Sequence, residues 1–295
     1  MPERPTSVRA AGPLARAPSG VLVVGAIASV QFGSSLAATL FQRLGPGGTV
    51  LLRLASAALV LLALWRPRLR GRSRSELLLA AGFGLVLAGM NLSFYEALDR
   101  IPLGIAVAIE FIGPLAVAVG GSRRALDLLW AALAAVGILA LTRGGVHGLD
   151  SLGIVLALAA GCLWGAYILL NARLGKAFEG STGLTLAMCV GTVALLPVGV
   201  ASGGGHLLEP GALVLGAAVG VLSSAIPYTF EVEALRRIAV PTFGVLMSIE
   251  PAMAALAGFL VLGQSLGLRA LLGIALVTLA STGSSVGGAR AAIAI

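Results

Sequence analysis

Charge is scarce in this chain, and its scarcity excludes most of what 295 residues can build. Only 11% of the residues are Asp, Glu, Lys or Arg, while 58% are hydrophobic; soluble domains carry about a quarter charged residues. So little charge cannot keep a surface in water, and lipid is the expected solvent. Histidine is almost missing as well. His147 and His206 both fall between apolar runs, with no cysteine or carboxylate cluster at ligand spacing. No HExxH, phosphate-binding glycine loop or nucleophile elbow is present. Catalytic residues, a metal and a cofactor are therefore not expected. A membrane-embedded enzyme and a non-transporting scaffold remain as alternatives of a different class. The two cysteines, Cys162 and Cys189, lie inside apolar runs without paired or metal-ligand spacing and read as small packing residues.

What the chain has in quantity is apolar length. A helix needs about 20 mostly apolar residues to cross ~30 Å of hydrocarbon. Ten segments qualify: 20–41, 47–65, 77–98, 103–121, 127–143, 151–171, 182–201, 211–233, 240–262 and 268–288. The 41 glycines sit within these runs without a period, as suits helices that pack closely in lipid. Connections are short and punctuated, as at Gly45-Pro46-Gly47-Gly48 and Gly203-Gly204-Gly205. Residues 1–19 read as a flexible basic tail rather than a cleaved signal, because the apolar run that follows is as long as a full span.

The net charge of +8 does not point to nucleic acid, since the basic residues cluster in short loops. Counted on alternate sides, fifteen Lys and Arg fall on the side of both termini and four on the other, with Arg53 inside the second span. The positive-inside rule then puts both termini in the cytoplasm. A repeat runs through the chain at an offset of 137: Ala97-Leu98-Asp99-Arg100-Ile101 returns as Ala234-Leu235-Arg236-Arg237-Ile238, Glu96 meets Glu233, and Pro114 meets Pro251. Five spans per half is an odd number, so the halves 20–143 and 151–288 are expected to be inverted copies. The expected fold is all-α, ten transmembrane helices in two inverted five-helix repeats, an architecture of transporters with a midplane site.

Acids inside the apolar runs are the first candidates for that site, because each costs at least ~2.5–3.5 kcal/mol at the bilayer centre. Glu110 stands about 10 Å into span four and Glu250 about 15 Å into span nine, from opposite faces, at 1.5 Å per residue. Pro114 and Pro251 each remove a backbone donor and loosen the helix beside an acid. Glu231 lies one turn from Tyr228, whereas Glu96 and Glu233 are near span ends and read as solvated. Asn91 and Tyr95 share a face of span three, as Trp164 and Tyr167 do on span six. Gln31, Ser34, Ser35, Ser223 and Ser224 are weaker polar candidates. For Arg53 two readings stay open: snorkelling outward or a paired structural role.

The match to a known family is densest at Pro102-Leu103-Gly104-Ile105-Ala106-Val107-Ala108-Ile109-Glu110-Phe111 and Gly113-Pro114-Leu115-Ala116-Val117-Ala118. It continues at Ile226-Pro227-Tyr228 with Glu231, Thr242-Phe243-Gly244, Met247-Ser248-Ile249-Glu250-Pro251-Ala252, Gly89-Met90-Asn91 and Phe94-Tyr95. Nearly end to end, the chain resembles the drug/metabolite transporter superfamily, EamA type, in its branch of bacterial inner-membrane threonine and homoserine exporters. Two positions depart from that pattern: Gln264 follows Leu262-Gly263 where these repeats often carry glutamate, and Glu233 is an unexpected acid. The resemblance implies export of small polar amino acids coupled to protons, with the aromatic amino acids, polyamines and drug-like cations moved elsewhere in the superfamily as alternative cargo. Glu110 would hold either a proton or the substrate ammonium, and Gln31, Ser34, Asn91, Tyr95, Trp164, Tyr167, Tyr228, Glu231 and Glu250 would line the pocket.

Topology is open to direct test. Reporter fusions after residues 70, 122 and 176 are expected to report cytoplasm, and fusions after 45, 145 and 205 the opposite side. Cysteine labelling that reached the 66–75 loop from outside would break the inverted-repeat reading.

Overall fold

The structure is a computed structural model that describes residues 17–65, 67, 71–120, 125–143, 150–178, 181–235, 237–238 and 246–293. Every regular element among the described residues is a helix. Lipid dictates this, since a backbone with no water around it must satisfy its own polar groups within the segment. Four helices come first: α1 (Ser19–Ala38), α2 (Phe41–Trp65), α3 (Arg74–Leu98) and α4 (Leu103–Glu110). Next are α5 (Ile112–Gly120), α6 (Ala125–Arg143), α7 (Ser151–Ala177) and α8 (Thr182–Gly203). The chain closes with α9 (Pro210–Gly220), α10 (Ile226–Leu235), α11 (Glu250–Leu262) and α12 (Leu268–Ile293). A 3₁₀ turn, Gly204–Leu208, precedes α9, and a π-helical turn, Val221–Ala225, joins α9 to α10.

Burial is distributed as a membrane requires. Leu59, Leu64, Leu85, Val193, Leu213, Phe259 and Leu279 face outward, while Gln31, Arg53, Asn91, Glu110, Ser223, Ser224 and Glu250 are buried. Among the described residues, six continuous helical stretches, the last of them Pro210–Glu231, are long and apolar enough to cross a bilayer, and Leu103–Val117, Glu250–Leu262 and Leu268–Gly283 are shorter apolar helices. Termini are fixed by short-range chemistry. Ser73 and Glu76 form a reciprocal capping box at the start of α3, and Asp150 accepts from the Leu152 and Gly153 amides at the start of α7. At Gly45 the backbone turns to φ 63°, kinking α2 just before Pro46. The Ser202 hydroxyl donates to the nearby Leu44 carbonyl at 2.9 Å.

Several expected spans arrive broken. The 103–121 segment divides at Phe111, directly after Glu110, where Pro114 leaves the Glu110 carbonyl without its helical donor. The 211–233 segment carries the π turn Val221–Ala225, which ends two residues ahead of Pro227. On the 240–262 segment the chain turns at Ser248–Ile249, and α11 begins at Glu250 with Pro251 in its first turn. The basic tail to residue 16, the Thr242-Phe243-Gly244 motif, His147 and the arginines at 66, 68, 70, 123, 124 and 236 lie outside the described residues, as does the Glu233 side chain.

Packing pairs helices that are far apart in sequence. α2 lies along α8, α3 along α7 and α6 along α12. α1 packs on α10 and α11, α7 on α4 and α5, α2 on α9, and α4 on α11. Contacts are close where side chains are small. A Cβ at Gly161 would stand 2.6 Å from the Glu110 carbonyl oxygen and 3.2 Å from Ile112 Cγ2. Gln264, the departure from the family pattern, accepts from the Leu103 amide at 3.0 Å and so caps α4 from 161 residues away.

Gly161→Val is expected to push α7 off the α4–α5 break at an overpacking cost of about 1–3 kcal/mol, read as a lower thermal midpoint of the purified protein. Gly175→Ala, which meets nothing within 4 Å, is expected to leave the midpoint unchanged. Equal midpoints for both variants would contradict the close helix contact.

Candidate functional site

The polar interior is organised around Arg53 on α2. Its side chain is 4% exposed, so it does not snorkel; the alternative of a paired interior role is the one realised. Nε donates to Ser224 Oγ at 3.2 Å, Nη1 to the Tyr95 hydroxyl at 3.1 Å and Nη2 to the Ser223 carbonyl at 2.8 Å. The guanidinium also lies 5.3 Å from the Tyr95 ring centroid, a cation–π contact. The sequence explains why that carbonyl is available. Pro227, four residues on, has no N–H to give Ser223 and its ring crowds the carbonyl. The backbone relaxes into the π turn, a local widening often found at functional positions. In sequence this place is marked only by a serine pair followed by Pro227, and the facing Arg53 gives that pair its role.

Around this centre stand the acids. Glu110 is 8% and Glu250 6% exposed. Arg53 acts electrostatically on Glu110, and Glu110 and Glu231 both act on Glu250. No hydrogen bond from a described residue reaches the Glu110 carboxyl. It sits at the C-terminal end of α4, where carbonyl dipole ends favour a cation. Glu250 opens α11, where the helix dipole favours an acid, and accepts from Gln31 Nε2 at 2.9 Å. Glu250 Oε2, Gln31 Oε1 and Ser223 Oγ are buried without partners among the described residues.

Aromatic rings close the remaining space. Tyr167 stacks on Phe83 at 5.0 Å and lies 6.4 Å from Tyr228, and Trp164 meets Phe111 edge-on at 5.2 Å. Tyr228 and Tyr167 both feel Glu231 electrostatically. The structure thus gathers Gln31, Tyr95, Glu110, Tyr167, Tyr228, Glu231 and Glu250 from the expected set, with Trp164 at the Glu110 break. Asn91 behaves differently, turning its amide back to the Leu87 carbonyl of its own helix at 2.8 Å. Ser34 is buried on α1 without a hydrogen bond to a described residue. Glu96 pairs with Arg100 at 2.7 Å on a partly exposed face, as its position near a span end suggests. Cys162 is exposed and Cys189 half-buried, so only Cys189 has the packing role expected of both.

Chemistry of other kinds has little to stand on. Among the described residues no group of His, Cys, Asp and Glu is placed to hold a metal ion. His206 hydrogen-bonds Glu209 at 2.6 Å in the exposed turn before α9, and that bond holds the Glu209 carboxyl below its usual range. Apolar helices facing outward, with a guanidinium and two acids buried between them and Glu231 half-buried nearby, describe a multi-pass membrane protein with a polar interior.

Comparison with known proteins agrees. The profile of the EamA-like transporter family matches residues 151–286. The threonine/homoserine exporter RhtA of Escherichia coli K12 is 42% identical over 269 residues, covering 90% of each chain. RhtA of Salmonella typhimurium LT2 is 42% identical over 264 residues, 88% of this chain and 89% of that one. A crystal structure of a protein 18% identical in sequence superposes with a TM-score of 0.59, covering 92% of this chain and 98% of its own, and supports the fold. The chain belongs to the EamA-like transporter family. It is a membrane transporter and not an enzyme.

Tyr95→Phe is expected to leave Arg53 Nη1 without its acceptor. A buried hydrogen bond to a charged group is worth about 1.5–3 kcal/mol, so the thermal midpoint in detergent should fall. Asp99→Asn, at an exposed helix end, serves as the control. A midpoint unmoved by Tyr95→Phe would remove the hydroxyl from the arginine cluster.

Proposed function

We propose that this protein exports small polar amino acids of the threonine and homoserine class across the bacterial inner membrane in exchange for protons. The observation that carries the cargo is 42% identity, over nine-tenths of both chains, to exporters named for those two amino acids. Proton coupling rests on the interior acids. Glu110 combines burial, carbonyl dipole ends and a carboxyl with no hydrogen bond to a described residue, so a proton and a substrate ammonium compete for one carboxylate. Mutual exclusion at a single site is the minimum that exchange requires.

Alternating access is the proposed cycle, with residues 20–143 and 151–288 acting as inverted halves that rock about the site. Two features of the helices support it. The breaks at Phe111 and Ser248 are 137 residues apart, the sequence offset itself, and each precedes a proline by three residues. The packing also interchanges when the halves are swapped. α1 on α10 corresponds to α7 on α3, α1 on α11 to α7 on α5, and α2 on α9 to α8 on α3, while α2–α8 and α6–α12 map onto themselves. The excess of Lys and Arg on alternate loops supports cytoplasmic termini.

Glu110→Gln keeps shape and removes the ionisable group, so protein yield and stability should change little. Labelled-threonine uptake into proteoliposomes driven by a pH gradient is expected to fall tenfold or more, the scale of one interaction of ~1.4 kcal/mol at the coupling step. Glu250→Gln should reduce it less, and Glu96→Gln, a partly exposed pair on α3, hardly at all. Gradient-driven uptake by Glu110→Gln at the unmutated rate would make this acid a packing residue.

A further inference from the structure

A permanently charged guanidinium in the interior of a membrane protein needs a counter-charge or a full set of acceptors. Arg53 has neither. Three hydrogen bonds use one N–H each on Nε, Nη1 and Nη2. A guanidinium carries five, so one N–H on each terminal nitrogen has no partner among the described residues. Nor does any ion pair among those residues include Arg53. Glu110 acts on it at a distance, without contact. The buried polar atoms without a partner among the described residues include Ser223 Oγ, whose own backbone carbonyl holds Nη2. The guanidinium is thus oriented by fixed neutral acceptors while its charge is left unmatched.

We propose that Arg53 is the anchor for the substrate carboxylate, and that it restricts the cargo to solutes bearing one. This rests on the amino-acid export reading and narrows it. The two free N–H groups suit a carboxylate, which pairs with arginine through two hydrogen bonds. With the carboxylate on Arg53 and the ammonium toward Glu110, each charge of a zwitterion meets its opposite, and the loaded site carries no net charge among these four groups. Polyamines and drug-like cations bring only positive charge to the buried guanidinium. The Tyr95 ring and hydroxyl and the Pro227-freed carbonyl act as positioning groups that hold the guanidinium in place.

Calorimetric binding to the purified full-length protein tests this, with threonine, homoserine, phenylalanine, threonine amide, threoninol and putrescine as ligands. An acid is expected to bind at least tenfold tighter than its amide or alcohol, and Arg53→Gln should bring acid and amide within about twofold. Should that variant fail to purify as folded protein, the acid-to-amide ratio of the unmutated protein decides, and Arg53→Lys, which keeps the charge and loses the two-pronged geometry, should give an intermediate ratio. Phenylalanine bound in place of threonine, still with acid over amide and dependent on Arg53, upholds the anchor and overturns the threonine and homoserine reading. Threonine bound no better than its amide overturns the anchor and leaves that reading standing. Putrescine bound as tightly as any acid, or no carboxylate bound at all, also overturns the anchor.

Discussion

The Arg53 guanidinium must find acceptors where the bilayer offers none, and the way this chain supplies them ties three segments into one unit. α2 carries the charge, α3 contributes the Tyr95 hydroxyl and ring, and the π turn between α9 and α10 contributes a hydroxyl and a carbonyl. Each contact crosses between parts of the chain far apart in sequence. The Ser224 and Arg53 partners alone are separated by 171 residues. In this arrangement the three segments together form one wall of the site, and a motion that parts them must supply the buried charge with other acceptors.

Proline sets where the interior backbone becomes available. Pro114, Pro227 and Pro251 each withhold an N–H from the carbonyl four residues earlier, those of Glu110, Ser223 and Met247. In lipid such carbonyls would be costly; inside the bundle they are either used or enclosed. Arg53 takes that of Ser223, and the Glu110 carbonyl packs against Gly161. The breaks also decide which helix terminus faces the acids. Glu110 ends α4 and Glu250 begins α11, so the two carboxyls meet opposite dipole ends although both are buried. Two acids of similar depth therefore have different chemical surroundings.

Much of this was legible in the sequence because the governing physics is local. Hydropathy over about 20 residues reports a span, since each helix in lipid must satisfy its own backbone. An acid within such a run signals a site, since its burial is costly wherever it falls. Glu110 and Glu250 stand out that way, whereas Tyr95 and Tyr228 stand out only by their helical spacing from Asn91 and Glu231. The repeat at offset 137 was visible as residue identity, and the breaks at Phe111 and Ser248 carry the same spacing in the backbone.

What tertiary structure alone decided is which side chains meet. Arg53 had two equally good fates in sequence, outward to water or inward to partners, and only the facing π turn selects the second. Asn91 and Tyr95 share a helix face, yet Asn91 turns to its own backbone and Tyr95 reaches Arg53. Gln31 pairs with Glu250 across 219 residues, and Gln264 caps α4 across 161. Sequence by itself determined the class of protein, its apolar helices and the buried acids Glu110 and Glu250, because each follows from the transfer of one segment from water to lipid. The pairing of those charges depends on how separate helices pack, and no local pattern contains that distance.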